Sequence, residues 1–104
     1  MADKRVQASL EILNGDFEGM RYPLLSDETV VGRNPTTDVT LLDEGISREH
    51  ALILYEEAEA DFVLEDLQST NGTRVNGKRV RSVALHEGDE IQIGRTRFAF
   101  RLGD

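Results

Sequence analysis

The 104-residue sequence contains no cysteine, only two prolines and only two histidines. Without cysteine there is no disulfide framework and no thiolate metal site, and a small domain lacking disulfides suits a reducing compartment. His50 and His86 alone do not make a His-rich metal site. No apolar run approaches the roughly 20 residues of a membrane helix. The opening Met1-Ala2-Asp3-Lys4-Arg5 has no apolar stretch of the kind a signal peptide carries. Positive charge is also scarce, with 12 Lys and Arg against 20 Asp and Glu, a net charge of −8 and a pI near 4.7. That balance opposes general nucleic-acid binding, where neutralising phosphates supplies most of the affinity. The expectation is a cytoplasmic protein, or a cytoplasmic domain of a longer chain. No metal, cofactor, nucleic acid or membrane is expected as a partner.

Hydrophobic residues make up 38% of the chain and charged residues 31%, which suits one folded domain with a modest core. The charge is unevenly placed. Residues 1–70 hold 5 basic and 16 acidic side chains, whereas residues 71–104 hold 7 basic and 4 acidic. The basic cluster Arg74, Lys78, Arg79 and Arg81 has no acid among its members. It reads either as a solvated strand face or as a local positive field beside a site for an anion.

Short apolar segments alternate with Gly, Asn and Asp. Strands are expected at 7–13 and 18–25, joined at Asn14-Gly15-Asp16, and Asn-Gly is a strong hairpin signal. Further strands are expected at 29–32, 39–42, 50–56 and 61–67, with an acidic turn at Glu57–Ala60. A second Asn-Gly, Asn76-Gly77, joins 73–75 to 78–80. The last pair is 90–93 and 96–102, where Phe98, Phe100 and Leu102 alternate with Arg97, Ala99 and Arg101. No stretch keeps a helical period over ten or more residues. Many short strands imply two packed antiparallel sheets or a barrel.

Polar residues gather in three connections: Gly32-Arg33-Asn34-Pro35, Gly45-Ile46-Ser47-Arg48-Glu49-His50, and Asp66 through Thr73 followed by Val75-Asn76-Gly77. Together with Leu85-His86-Glu87-Gly88-Asp89-Glu90-Ile91 and Ile93-Gly94, their order and spacing resemble the forkhead-associated (FHA) domain family along nearly the whole chain. The resemblance implies an all-β fold, a two-sheet antiparallel β-sandwich of about eleven strands with binding loops at one end. It implies a non-enzymatic module that binds phosphothreonine peptides in kinase-linked signalling. The family's recognition roles fall on Arg33, Ser47, Arg48, Thr70 and Asn71.

The same residues suit the chemistry on their own terms. Phosphothreonine carries about −1.5 to −2 charges and three acceptor oxygens. Arg33 offers a planar fork for phosphate; the alternative is a surface salt bridge to Asp38 or Asp43. The Ser47 hydroxyl can donate to phosphate or stabilise its own turn. Arg48 adds a second cation or a backbone donor, or is simply solvated. Thr70 offers a hydroxyl to the ligand or to its loop. Asn71 has donor and acceptor on one amide, suited to gripping an extended peptide's main chain; otherwise it serves the turn before Gly72. Gly32, Gly72 and Gly77 are read as positions where a Cβ is unwelcome. His50 is read as a buried orienter of the Ser47 loop, Asp66 as a brace of the loop that follows it, and Asn76 as a turn residue.

Ser47 and His50 also invite a nucleophile–base reading, but they lack the strand–turn–helix setting of a nucleophile elbow, and no Walker-type loop is present. A phospho-independent scaffold with a silent site is the other rival; the presence of both Arg33 and Ser47 argues against it. The expected organisation is a flexible start at 1–5, one domain at 6–102 and an end at 103–104, monomeric in isolation. Neither Met1–Gln7 nor Leu102–Asp104 carries a threonine, so the phosphothreonine is expected in trans, on a separate phosphoprotein or on a region outside these 104 residues. Gly45 and the Gly94-Arg95-Thr96 turn are candidates for reading the residues around the phosphothreonine.

Overall fold

The structure is a computed structural model that describes residues 5–103. Eleven strands form two sheets. They are β1 (Ala8–Ile12), β2 (Arg21–Pro23), β3 (Glu28–Gly32), β4 (Val39–Thr40), β5 (Ala51–Glu56), β6 (Asp61–Asp66), β7 (Thr73–Val75), β8 (Lys78–Val80), β9 (Ser82–Ala84), β10 (Glu90–Ile93) and β11 (Thr96–Leu102). One sheet runs β2-β1-β11-β10-β7-β8 and the other β4-β3-β5-β6-β9. This is the expected β-sandwich.

Alternation along the strands sends one face of each sheet inward. Leu10 and Ile12 of β1, Ile53 of β5, Phe62 and Leu64 of β6, and Phe98 and Phe100 of β11 are all buried. The rings of Phe62 and Phe100, one from each sheet, meet with centroids 5.5 Å apart. Burying such a side chain stabilises the fold by about 1.5–3 kcal/mol. The period of two fails at the end of β11, where Leu102 is exposed and Ala99 is buried.

Five expectations need correction. The sandwich is not wholly antiparallel, because β3 and β4 pair in parallel with Val31 opposite Val39. The intervening loop closes on itself: the Thr37 hydroxyl and amide both donate to the Asn34 carbonyl, at 2.6 and 2.9 Å. The chain therefore leaves the loop in the direction it entered. The return strand expected at 18–25 shrinks to Arg21–Pro23. Gly15 and Gly19 both take positive φ, so the chain turns twice and leaves Phe17 and Met20 exposed. Asn14 does not sit in a two-residue hairpin turn; its amide ties the Arg95 carbonyl and the Arg97 amide instead. The strand expected at 39–42 stops at Thr40, and β9 was not foreseen.

The acidic segment Glu57–Glu59 is a short 3-10 turn closed by Ala60 at φ 51. Arg5, grouped on sequence with the loose N-terminus, pairs with Asp27 at 2.7 Å and lies 4.2 Å from the centre of the Tyr55 ring. The rest of the expected flexible start, Met1–Lys4, and the final Asp104 lie outside the described residues. Among the described residues no helix is long and apolar enough to cross a membrane.

Candidate functional site

The segment 45–48 is the hub of the site. Two loops are hydrogen-bonded to it. From the β3–β4 loop, the Arg33 amide donates to the Ser47 carbonyl and the Asn34 amide to the Arg48 carbonyl, both at 3.1 Å. The Arg33 Nε donates to the Ile46 carbonyl at 3.0 Å. From the β6–β7 loop, Asn71 Nδ2 donates to the Gly45 carbonyl at 2.9 Å, and the Thr70 amide donates to Ser47 Oγ at 3.1 Å. Arg33, Ser47, Arg48, Thr70 and Asn71, far apart in sequence, thus lie on one connected surface.

Glycine makes this approach possible. A Cβ on Gly32 would lie 2.1 Å from the Arg48 carbonyl oxygen. The reason is steric, not conformational, because Gly32 is not among the positive-φ glycines. Gly72 needs its glycine on both counts: its φ is 87°, and a Cβ there would lie 2.4 Å from Arg79 Nε.

His50 is fully buried where β5 begins. Its Nδ1 accepts the Ser47 amide at 3.0 Å, so its Nε2 carries the proton and donates to the Gly72 carbonyl at 2.8 Å. One imidazole thereby locks the Ser47 loop to the Asn71–Gly72 loop. This is the orienting role expected of it, and it commits both ring nitrogens to structure rather than to activating Ser47. Asp66 braces the other loop by accepting from the Ser69 amide, the Ser69 hydroxyl and the Thr73 hydroxyl. Burial pushes its carboxyl up, but these hydrogen bonds outweigh burial and hold it below the ordinary value. Asp43 is also lowered, first by the Gly45 amide and then by the Arg95 amide. It ties the hub to the Gly94–Thr96 turn, and a Cβ on Gly94 would meet it at 2.7 Å.

The donors left over face outward. Arg33 forms no ion pair among the described residues. Asp38 is engaged by the Val30 amide at 2.8 Å and Asp43 by Gly45 and Arg95, so neither takes the salt bridge that was the alternative for Arg33. With Nε on Ile46, the Arg33 terminal nitrogens remain available. Arg48 is exposed and likewise in no ion pair among the described residues. Arg33 and Arg48 line a pocket of about 300 Å³ with Asn34 and Pro35. Ser47 Oγ receives the Thr70 amide and keeps its own proton to donate. Asn71 spends one amide hydrogen on Gly45 and keeps the other, together with Oδ1. Thr70 uses only its backbone amide in these contacts.

Sequence reasoning gave no role to Asn34, which lines the pocket and whose carbonyl anchors Thr37. Its place directly after Arg33 was the available signal. Asn76 does serve its turn, at φ 52, but its side chain reaches further, pairing with Asp89 and the Glu90 amide.

The sequence profile of the FHA domain matches residues 29–94. The chain belongs to the FHA domain family. It is 41% identical over 96 residues to the glycogen accumulation regulator GarA of Mycolicibacterium smegmatis, an alignment covering 92% of this chain and 60% of GarA. The chain therefore spans about 60% of that relative's length. A solved FHA domain, from a structural and functional analysis of phosphothreonine-dependent FHA domain interactions, superposes with a TM-score of 0.84 at 32% identity, covering 94% of this chain and 98% of that one. EmbR of Mycobacterium tuberculosis, in complex with a low-affinity phosphopeptide, superposes with a TM-score of 0.83 at 33% identity, covering 93% of this FHA chain and 24% of EmbR.

Proposed function

We propose that this FHA domain is a non-catalytic module of the cytoplasm that binds phosphothreonine peptides in trans, within signalling by Ser/Thr kinases. Arg33 and Arg48 supply the charge, Ser47 and Thr70 the neutral donors to phosphate, and Asn71 grips the peptide main chain. The domain itself spans residues 6–102. Gly45 and the Gly94-Arg95-Thr96 turn, joined through Asp43, read the residues flanking the phosphothreonine. The observation that carries this reading is the pairing of Ser47 and Arg33. The Ser47 hydroxyl oxygen accepts the Thr70 amide and keeps its proton to donate, beside an arginine held at Nε and unpaired at its terminal nitrogens among the described residues.

Calorimetry tests the reading with one peptide, selected from an oriented phosphothreonine library, in phosphorylated and unphosphorylated forms. Only the phosphorylated form should bind. A hydrogen bond to a charged group contributes roughly 1.5–3 kcal/mol, so Arg33→Ala should weaken binding at least about tenfold. The melting temperature should fall by only a few degrees, because the lost Nε bond to Ile46 is a single bond at an exposed residue. Equal affinity for the two peptide forms, or wild-type binding by Arg33→Ala, would remove the proposal.

A further inference from the structure

The cations of the β7–β9 stretch have no acidic partner among the described residues, although Arg74 donates to the Gly77 carbonyl at 3.4 Å. Among the described residues Arg74, Lys78, Arg79 and Arg81 enter no ion pair, although the chain carries a net charge of −8. Arg79 and Arg81 line a groove of about 640 Å³ with Gln68 and Ser69, roughly twice the volume of the pocket at Arg33 and Arg48. The groove lies at the corner where the chain passes from β8, the edge of one sheet, to β9, the edge of the other. Two carboxylates also border it, Glu65 and Asp66. Asp66 accepts from Ser69 and Thr73 and keeps its charge, so the two guanidinium groups share the groove with two carboxylates but form no ion pair with either among the described residues.

This groove is continuous with the phosphothreonine site. Arg79 packs over Gly72, where a Cβ would come within 2.4 Å of its Nε, and Gly72 directly follows Asn71. Gln68, Ser69, Thr70 and Asn71 are consecutive, so one loop forms the wall of the groove and the rim of the site. Gln68 holds φ 57 in that loop, a conformation uncommon for a residue with a side chain. A ligand lying across Thr70 and Asn71 therefore has unpaired guanidinium groups beside it.

We propose that the groove lined by Arg79 and Arg81 is a second anion subsite, which receives an additional acidic or phosphorylated side chain of the same bound peptide. The inference rests on the phosphothreonine reading above and names a further determinant of its ligand. An extended peptide advances about 3.3 Å per residue, so the second anion sits within a few residues of the phosphothreonine. Arginine pairs with carboxylate and with phosphate through the same fork, and the phosphate, with more charge, is held more tightly.

The test is calorimetry with a phosphothreonine peptide of neutral flanks. A single glutamate, or a second phosphothreonine, is placed in turn at each of roughly four positions on either side. A narrow window of positions should raise affinity about five- to tenfold, more for phosphate than for glutamate. Arg81→Gln, which leaves the Arg79–Gly72 contact in place, should abolish most of that gain while keeping the affinity for the neutral-flanked peptide. Arg74→Gln removes the same charge from the hairpin outside the groove and should keep the gain. Absence of any gain, an equal gain at every position, or a gain that survives the Arg79→Gln/Arg81→Gln double variant overturns the subsite while the phosphothreonine reading stands. Failure of the neutral-flanked phosphopeptide to bind at all defeats that reading, and the subsite falls with it.

Discussion

Gly32→Ala should damage the site without removing any group that touches a ligand. The added Cβ would lie 2.1 Å from the Arg48 carbonyl oxygen and 2.8 Å from its carbon, where ordinary contact begins at 3.4 Å. Both obstacles are backbone, so no side chain can rotate away. The two segments must part by roughly 1.3 Å. The Arg33–Ser47 and Asn34–Arg48 bonds, both at 3.1 Å, would then exceed hydrogen-bonding range. Overpacking of this kind costs about 1–3 kcal/mol. A domain of this size holds about 5–15 kcal/mol, so the variant should fold, with its melting temperature lowered by roughly 4–8 °C for each kcal/mol lost. Affinity for the phosphothreonine peptide should drop at least about tenfold, because Arg33 and Ser47 no longer converge. The comparison variant is Gly77→Ala, at φ 84° with open space around the new Cβ. It should cost about 1–2 kcal/mol from backbone strain alone and leave binding intact. Paired denaturant melts and calorimetry on the two variants decide the matter. Wild-type stability and affinity in Gly32→Ala would show that close approach of β3 to the Ser47 loop is not what builds the site.

Two further outcomes concern the ligand. The FHA resemblance implies a small apolar notch for the threonine methyl, which contributes about 1–3 kcal/mol where it fits, so phosphoserine should bind clearly more weakly; an aspartate or glutamate mimic should fail, and equal calorimetric affinities for phosphoserine and phosphothreonine would refute such a notch. Binding by these 104 residues should also be in trans: Thr29 and Thr73 are buried, Thr36, Thr37 and Thr40 are bonded in and beside the Arg33 loop, Thr70 is in the site, and Thr96 begins β11. The 104-residue chain treated with a threonine kinase should therefore keep its affinity for added phosphopeptide, and self-inhibition relieved by Arg33→Ala would contradict this.

Strand identity was legible from alternation in β6, β10 and β11, and in β5 from a short run that is apolar on both faces. The Asn76-Gly77 hairpin was also placed correctly, because a two-residue turn fixes its own register. The same dipeptide misled at Asn14-Gly15. There Gly19 lies close behind with a second positive φ, and a local signal cannot reveal that the Asn14 side chain bonds Arg95 and Arg97, on either side of the first residue of β11. β9 is three residues long, below the length at which a period can be read. The parallel β3–β4 pair is a contact between Val31 and Val39 across a short loop, and two-residue β4 is too brief for its direction to be read from residue pattern. For the site, the motif order pointed to the residue set and to the bracing roles of His50 and Asp66. It could not show that the main chain of 45–48 is the common anchor, because carbonyl groups leave no mark on residue type.

Asp66 makes the integrity of the site depend on pH in a way that separates it from ligand chemistry. Its carboxylate accepts from Ser69 twice and from Thr73 once, which shapes the loop presenting Thr70 and Asn71. Burial opposes the charge, and the hydrogen bonds outweigh it, so its folded pKa lies below the ordinary 3.8. A carboxyl depressed on folding contributes its full stabilisation above the unfolded value and loses it as pH falls through the folded one. Asp66→Asn should lower stability by about 1–3 kcal/mol near neutral pH, since the amide nitrogen confronts donors that the carboxylate accepted from. That deficit should be constant above about pH 5 and should shrink as pH drops below about 4, where the wild type loses the charge that the variant never had. Asp43 and Glu87 are also lowered, but they titrate in both proteins and drop out of the difference. Affinity is the wrong readout, because the ligand phosphate itself takes up a proton near pH 6. Urea midpoints of the two proteins across this range provide the measurement. A deficit that stays unchanged down to about pH 2 would mean that the Asp66 charge contributes nothing to holding the loop.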